Sequence, residues 1–595
     1  IRAFQQPYSK CTLENLEALP PLKPPLLILR LARCLLESCT SMTTSSSSPE
    51  ASARQRRETF NTRLVFLMAA IGSAVGLGNI WRFPYAAYEN GGGAFLIPYL
   101  IALLTAGIPL LWFDLAMGHR FRGSTPLTFR RTSKYAEPIG WLKVGVNFFI
   151  AVYYAAIIAW AGLYTWKSIG KTWGEDAESY FMGDFLKLDD SSAWTGDFVI
   201  PVLLVMAAVW VVCIFTLARG INEGIGRVTM FFVPVLIVLF IVMVVRALFL
   251  DGSADGLNTF FTPDWSVLSD TSVWIAAYGQ IFFSLSIGFG IMITYASYLK
   301  PRTNLTGTGM VTAFANSSFE VLAGIGVFAT LGFMAAQSGT SVEESVSGGI
   351  GLAFIAFPTI INEMPMGSLF GVLFFGSLFL AGITSLISIM EVVISAVRDK
   401  LNLSREVASI SVGGLMAVVS CLLFSTTSGM ITLDIMDKFT NNLGIVICAI
   451  AAVLTIGWVQ GRRNEIAQHL NAVSELRLGV VWQACVFAIT PAVLLYFLVE
   501  EIRTLLTEGY EGYASGTIFA YGWLVLIIIG LGAVVWSFVP FRGNPFLDGL
   551  PSSDYGVPPK GRPSGTPNPL ANGAATAATS STGSNNGPNN GKELS

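Results

Sequence analysis

The sequence predicts an all-α polytopic membrane protein with 12 transmembrane helices, arranged as a five-plus-five inverted repeat with discontinuous helices 1 and 6. Of its 595 residues, 53% are hydrophobic and only 12% are charged, whereas roughly a quarter are charged in a soluble domain. Twelve apolar runs are long enough to cross a bilayer, and glycines and polar residues interrupt the first and the sixth. Composition therefore predicts the membrane class, and the two interruptions predict the repeat.

The twelve runs are separated by connections whose charge alternates. They lie near 64–88, 93–118, 141–168, 198–217, 226–250, 271–299, 308–334, 367–398, 406–424, 430–460, 478–499 and 516–539. One set of connections is rich in Lys and Arg, and the opposite set is rich in Asp and Glu. Because cytoplasmic loops carry the positive charge, we expect a plasma (inner) membrane protein with both termini in the cytoplasm.

The two ends of the chain differ in composition from the region between them. Residues 1–56 hold one apolar run, interrupted by Arg30 and Arg33, that is too short and too charged to span a membrane. We expect Met42 to be the true start and residues 1–56 to be a disordered or artefactual extension. Residues 542–595 are rich in Gly, Ser, Pro and Asn, which predicts a disordered cytoplasmic tail.

The first run contains "GSAVGLGNIWRFP" at 72–84, and the sixth contains "GQIFFSLSIGFG" at 279–290. Non-helical backbone survives in hydrocarbon only where another group satisfies it, and unwound carbonyls suit Na⁺ while half-helix N-termini suit a carboxylate. Close helix packing through small residues is the alternative, but it does not explain Asn79, Arg82 or the recurrence in the sixth run. The predicted domain covers 57–541, with repeat one at about 57–250, repeat two at about 271–460, and helices 11 and 12 at about 478–539.

Three stretches closely resemble the neurotransmitter:sodium symporter family, especially its bacterial amino-acid transporters such as the bacterial leucine transporter. They are "GSAVGLGNIWRFPYAAYENGGGAFLIPY", "GQIFFSLSIGFG" and "AGITSLISIM". The resemblance runs from about Arg57 through the tenth span and more weakly to residue 540. It implies sodium-coupled symport of an amino acid by alternating access, with two Na⁺ ions.

The resemblance also implies two sodium sites. The first consists of Ala74, Asn79, Ser284 and Asn316, where the substrate carboxylate also reaches the ion. The second consists of Gly72, Val75, Ala381, Thr384 and Ser385. Offsets of three and four place the last three of these on one helical face, as a cation site requires. Hydrogen bonding of the two hydroxyls to their own helix is the alternative.

Glu320 lies four residues after Asn316, on the same helical face. Chloride-dependent relatives have a small hydroxyl residue at this position and bind chloride with groups that match Tyr99, Gln280 and Ser284. A carboxylate there supplies the negative charge in place of chloride, which predicts chloride-independent transport. Uptake of a proton by Glu320 on the return step is a further hypothesis.

Gly76 stands where monoamine transporters of the family carry an Asp, which leaves space for a substrate carboxylate. The resemblance implies a site that binds a neutral, hydrophobic α-amino acid. Its members are Ala74, Gly76, Leu77, Gly78, Ile150, Tyr154, Phe283, Ser284, Ser286, Phe289, Ser385, Ser388 and Ile389. The lining is largely apolar, so a charged side chain would be left unpaired.

The resemblance predicts a gate on either side of this site. The outer gate is Arg82 with Asp437, capped by Tyr154 and Phe289. The inner gate is Arg57 with Asp399, beside Tyr298, although membrane anchoring of Arg57 by the positive-inside rule is an alternative. The stretch "GIGRVTMFFVP" at 224–234 is similar to the family's release motif.

Other classes of function find little support. His119 and His469 are the only histidines, both at predicted cytoplasmic connections, and no catalytic constellation is evident, so we expect no enzyme. No basic run indicates nucleic-acid binding. A sodium-dependent amino-acid sensor or a passive facilitator on the same fold remains an alternative. The expected partners are an amino-acid substrate, the lipid bilayer and possible second copies in a homodimer.

Overall fold

The computed structural model describes residues 57–189, 196–338 and 349–542, and within them helices dominate. Ten helices in this part of the chain are long and apolar enough to cross a membrane. In chain order they are spans 2 to 5 (Gly93–Phe121, Lys134–Lys167, Ile200–Ala218 and Ile221–Leu248) and spans 7 to 12 (Leu305–Gln337, Gly367–Leu401, Arg405–Phe424, Gly429–Val459, Val480–Thr507 and Ser515–Phe538). The predictions for residues 1–56, Met42 and the tail after Arg542 lie outside the described residues.

Spans 1 and 6 are each formed by two shorter helices. Span 1 consists of 1a, Arg63–Ala74, and 1b, Leu77–Glu89. Span 6 consists of 6a, Thr271–Ser284, and 6b, Ile291–Ala296. With the ten continuous helices these make twelve spans, so the predicted all-α fold with discontinuous helices 1 and 6 is confirmed.

The breaks occur where the backbone leaves the helical region. In span 1, Val75 and Gly76 are extended, with φ of −74° and −127°. In span 6, Ser286, Gly288 and Gly290 have φ of 52°, 92° and 86°. Glycine adopts this left-handed conformation readily, whereas it is strained for Ser286. Such strain persists only where the surroundings hold it, and it is common at functional sites.

Side chains from neighbouring elements satisfy the unwound backbone. Ser286 Oγ donates to the Ser73 carbonyl at 3.1 Å, so a side chain at the break of span 6 satisfies a backbone carbonyl at the break of span 1. Asn147 Nδ2, from span 3, donates to the Phe289 carbonyl at 2.6 Å. These contacts allow non-helical backbone inside a membrane domain.

The core surrounds the breaks. Most residues in the apolar stretches of spans 3, 7 and 8 are buried. In spans 4, 5, 9, 11 and 12 fewer than half are buried, as expected of helices that face lipid. We call the end of the molecule that carries Arg57 the inner end and the opposite end the outer end, following the predicted orientation.

Three spans differ from their predicted bounds by more than a few residues. Span 3 begins at Lys134 rather than at 141, because a 3₁₀ turn, Lys134–Ala136, and the first turn of the helix Glu137–Lys167 precede the apolar run. Span 5 begins at Ile221 because a π-helical turn, Ile221–Gly226, precedes the regular helix. Span 11 continues to Thr507, since its last two turns are amphipathic and carry charges that end an apolar run but not a helix. Other spans also contain π-helical turns, and one of them, Thr440–Ile445, lies within span 10.

Candidate functional site

A cavity lies where the two breaks meet spans 3, 8 and 10. Its lining residues are Ser73, Ala74, Gly76, Leu77, Gly78, Asn79, Ile150, Tyr153, Tyr154, Phe283, Ser284, Ser286, Phe289, Ser385, Ile389, Asp437 and Asn441. These include every predicted substrate-site residue except Ser388. The Ser388 hydroxyl lies behind the cavity, where it donates to the Thr384 carbonyl at 2.9 Å and accepts from Tyr295 at 2.8 Å.

Two glycines at the start of helix 1b leave room in the cavity. A Cβ on Gly76 would lie 3.1 Å from Ser385 Oγ and 3.2 Å from the Tyr154 hydroxyl oxygen. A Cβ on Gly78 would overlap the ring of Phe283. The Leu77 amide, the first of helix 1b, donates to the Tyr154 hydroxyl at 3.3 Å. The positive end of a half-helix therefore faces the cavity, which favours an anionic group there.

Beside this helix end, three polar side chains from spans 1, 6 and 7 form a buried chain. Asn79 Nδ2 donates to Asn316 Oδ1 at 2.9 Å, and Asn316 Nδ2 donates to Ser284 Oγ at 3.2 Å. The Asn79 Oδ1 atom accepts from the Gly76 amide at 2.8 Å. All three side chains are almost fully buried. The structure thus brings together the side chains of the first predicted sodium site, which offer the hard oxygens that suit Na⁺.

The residues of the second predicted sodium site lie between helix 1a and span 8. Ser385 Oγ donates across the interface to the Gly72 carbonyl at 3.3 Å. Thr384 Oγ1 instead donates within its own helix, to the Ala381 carbonyl at 3.0 Å. The alternative of bonding to the parent helix therefore describes Thr384 here, whereas Ser385 links the two elements. A Cβ on Gly72 would lie 3.3 Å from Thr384 Cβ, so the two backbones approach closely.

Glu320 is fully buried in span 7. Gln280 Nε2 donates to Glu320 Oε1 at 2.6 Å, and the Tyr99 hydroxyl donates to Oε2. Ser284, which also contacts Asn316, faces the same carboxyl group. Glu320 therefore contacts the residues that the resemblance implies for a chloride site, a role that stays a prediction, and no ion pair within the described residues involves it.

The inner gate residues are in contact. Arg57 Nη1 lies 2.8 Å from Asp399 Oδ2, and Arg57 Nε donates to Ser297 Oγ at 3.0 Å. The same guanidinium stacks on the Tyr298 ring, 4.8 Å from its centroid. Asp399 also accepts from the Ser124 amide at 2.8 Å. These contacts join the segment before span 1, the end of span 8 and the connections after spans 2 and 6 at the inner end.

The outer gate residues are not in contact. The Arg82 guanidinium lies over the Phe283 ring, 4.6 Å from its centroid, and lines a second cavity nearer the outer end. Asp437 accepts from Asn441 Nδ2 at 2.7 Å rather than from Arg82. The cap residue Phe289 is buried at the cavity wall. The predicted inner ion pair is thus formed and the predicted outer one is not, and the roles of both pairs as gates stay predictions.

Several cavity and gate residues were missed by the sequence analysis. Tyr153 and Asn441 line the cavity, and Asn441 lies one turn after the gate residue Asp437. At the inner end, Tyr298 donates to Glu391 at 2.7 Å, and Glu391 pairs with a buried arginine of span 9. A carboxylate within an apolar run is a signal that could have identified Glu391.

A helical membrane bundle with two interrupted spans that meet at a cavity is typical of secondary transporters of the inverted-repeat class. The particular family follows from comparison with known proteins. The family model of the sodium:neurotransmitter symporters matches residues 57–176 and 170–543, and this chain belongs to that family.

Known relatives carry matching names. The chain is 39% identical over 480 residues to an uncharacterized sodium-dependent transporter of Methanocaldococcus jannaschii, covering 80% of this chain and 97% of that protein. It is 28% identical over 542 residues to the sodium-dependent dopamine transporter of Caenorhabditis elegans, covering 82% and 88%. The predictions of a sodium-dependent transporter family and of a protein that is not an enzyme are confirmed.

Proposed function

We propose that this protein is a symporter that couples Na⁺ entry to the uptake of a neutral, mainly hydrophobic α-amino acid by alternating access. One juxtaposition carries the proposal: the N-terminus of helix 1b opens into the same cavity as the buried group of Asn79, Asn316 and Ser284. A carboxylate held at that helix end would lie beside the oxygens that suit Na⁺. Ion and substrate would then bind each other as well as the protein.

The cavity chemistry supports a zwitterion with an apolar side chain. Gly76 contributes no carboxylate where a free amine would need one, and the unwound carbonyls can accept from an α-amine instead. The remaining walls include Ile150, Phe283 and Ile389. Because a charged side chain would find no partner on these walls, we expect leucine-, methionine- or aromatic-type substrates to bind and lysine or glutamate to be excluded.

Two Na⁺ ions would supply the driving force. The second ion would lie between helix 1a and span 8, with the Gly72 carbonyl and the Ser385 hydroxyl among its ligands. Two net charges entering with a zwitterion are worth roughly 4.6 kcal/mol per 100 mV, at about 2.3 per charge. This energy permits steep accumulation, and the sodium gradient adds to it.

Glu320 supports independence from chloride. Its carboxylate already lies against Tyr99, Gln280 and Ser284, where a chloride ion would otherwise balance the sodium charge. Protonation of Glu320 after sodium release would let the empty carrier return without a buried, uncompensated charge. Both statements are part of the same proposal.

The two gates would alternate. Arg57 and Asp399 seal the inner end while substrate enters from the outer end, after which Arg82 and Asp437 would approach each other and the inner cluster would separate. The π-helical turn Ile221–Gly226 lies at the inner start of span 5, whose Val233 packs against Gly72. Unwinding there would let water reach the second sodium site.

A binding panel tests the substrate class. Purified protein in detergent is heated with each standard amino acid in NaCl and in KCl, and the unfolding temperature is recorded. We expect neutral apolar amino acids to raise it in NaCl only, because a ligand stabilises the state that it binds. Stabilisation by lysine, glutamate or a monoamine, or equal stabilisation in KCl, would contradict the proposal.

A further inference from the structure

The outer half of span 10 carries the gate residue Asp437 and is attached to neighbouring elements through a different face. Asp434 and Lys438 lie one turn apart on one side of the regular helix, and Asn442, in the π-helical turn that follows, contacts the same partner as Lys438. Asp437 and Asn441 lie on the adjacent side and line the substrate cavity. A movement of the first face would carry the second face with it.

The first face binds span 11. Lys438 Nζ lies 2.7 Å from Glu501 Oε1, with the two side chains 28% and 14% exposed. Asn442 Nδ2 donates to the same Glu501 oxygen at 3.1 Å. One carboxylate therefore joins two successive turns of span 10 to span 11.

The connection between spans 11 and 12 binds the same face. The Tyr510 hydroxyl donates to Asp434 Oδ1 at 3.0 Å, and the Tyr513 hydroxyl donates to Oδ2 at 3.2 Å. Lys438 lies over the Tyr510 ring, 5.4 Å from its centroid. Burial and the Asp434 carboxylate raise the pKa of both phenols above their usual range, so both remain hydrogen-bond donors.

A π-helical turn follows the outer half of span 10. The regular helix ends at Phe439, and Thr440–Ile445 form the π turn. Such turns and the bends that they cause often mark functional segments of helices. Apolar packing of the outer half is divided between the main core, which Leu433 and Met436 join, and a small separate cluster around Ile435, Phe439 and Leu505. Polar contacts add to the lateral restraint on the face toward span 11.

We propose that Asp434, Lys438, Glu501, Tyr510 and Tyr513, which we call the outer anchor, are positioning residues that hold Asp437 where Arg82 must meet it. The proposal rests on the proposed function, because it assumes closure over an amino-acid substrate. With the anchor intact, Asp437 is presented by a fixed helix. Without it, the outer half of span 10 bends at the π turn and the gate closes less often.

Accessibility of a cysteine in the outer cavity tests this inference in intact proteoliposomes. Ile445 lines that cavity, so an Ile445→Cys background reports opening through its rate of labelling by a membrane-impermeant maleimide. A mixture of the standard amino acids, added in NaCl, serves as the ligand. We expect the mixture to slow labelling in this background, and Lys438→Met or the Tyr510→Phe/Tyr513→Phe pair to reduce that protection by roughly fivefold.

Two comparisons separate positioning from a general structural effect. Arg503→Met removes a more exposed ion pair of span 11, with Glu500 at 3.4 Å, and should leave protection unchanged. Asp437→Asn should lose protection by itself, and adding Lys438→Met to it should cause no further loss. The tyrosine pair keeps both rings, so it remains a valid test if Lys438→Met does not fold.

The outcomes are distinct. If the amino-acid mixture slows labelling in the Ile445→Cys background and the anchor variants retain this protection in full, the inference is overturned and the proposed function stands. Additive losses with Asp437→Asn would also overturn it. Absence of protection in the background itself would contradict the proposed function.

Discussion

Ser286 donates a 3.1 Å hydrogen bond to the carbonyl of Ser73, and this bond joins the unwound part of span 6 directly to the end of helix 1a. The two breaks therefore form one unit rather than two independent irregularities. Ser286 holds a strained positive φ of 52° to make this contact. The cavity and residues of both predicted sodium sites lie at this unit.

Gly78 tests the space requirement at the start of helix 1b. A Gly78→Ala variant places a methyl group in the ring of Phe283, so we expect Phe283 to move into the cavity and sodium-dependent amino-acid binding to fall at least about tenfold. Binding can be measured by thermal shift in NaCl. Gly530→Ala, in span 12, has open space around its Cβ and is the matched control. Equal affinity in the two variants would show that the Phe283 contact does not shape the site.

Ser385 tests the second sodium site. Its hydroxyl bonds across to Gly72, so Ser385→Ala should raise the sodium concentration for half-maximal uptake several-fold, with a smaller effect on maximal rate. Ser537→Ala removes a hydroxyl that bonds only within span 12, at 2.7 Å from the Ala533 carbonyl, and should change neither value. An unchanged sodium dependence in Ser385→Ala would argue against an ion between helix 1a and span 8.

Glu320 tests the anion requirement. The unmodified protein should transport equally well in chloride and in gluconate. Glu320→Ser should transport only in chloride, because the variant needs an anion beside Tyr99 and Gln280 to balance the sodium charge. Uptake in the two salts gives the answer. Chloride dependence of the unmodified protein, or none in Glu320→Ser, would contradict the assigned role.

The two histidines predict a pH dependence of stability. His119 Nδ1 and His469 Nε2 lie 2.9 Å apart at the inner end, and His469 is buried. Burial, with the nearby His119 and Arg120, lowers the pKa of His469 well below its usual range. The folded protein therefore keeps His469 neutral, while the unfolded chain takes up a proton below about pH 6.5. His469 therefore does not reduce the free energy of unfolding above about pH 6.5, and it lowers that free energy progressively as the pH falls below this value.

The measurement compares unfolding temperatures between about pH 5 and pH 7.5 in detergent. His469→Gln removes the titrating group, so its stability should fall less on acidification than that of the unmodified protein. Gln468→Asn, at the exposed neighbouring position on the same helix, should retain the full dependence. Identical slopes for His469→Gln and the unmodified protein would contradict this explanation.

The interruptions of spans 1 and 6 were predictable because glycine and polar residues within apolar runs are local signals. The bounds of most spans were nearly correct because the ends of the apolar runs are local signals too. Asn441 follows Asp437 by four residues, so helical spacing could have identified it, whereas Tyr153 reaches the cavity through the packing of span 3, which the local pattern does not give. The π-helical turn Thr440–Ile445 was not predictable, because a period of 3.6 residues does not anticipate it.

Contacts between distant segments were missed for a different reason. His119 and His469 are separated by 350 residues and meet only because the helix Arg463–Val473 packs beside span 2. Ser388 lies on the predicted helix, yet its hydroxyl faces Tyr295 rather than the cavity. Helix rotation and tertiary packing decide such positions, and neither is visible in the local pattern.

Uptake into proteoliposomes tests the central claim most directly. Protein reconstituted into vesicles is supplied with external NaCl, and accumulation of radiolabelled leucine is followed with and without an inward sodium gradient. The account predicts that leucine accumulates above its external concentration and that this accumulation requires the sodium gradient. Accumulation should continue when gluconate replaces chloride and should collapse when gramicidin dissipates the gradient. If neutral amino acids bind but only equilibrate across the membrane, or are not moved at all, the protein is a facilitator or a sensor and the proposed symport is wrong.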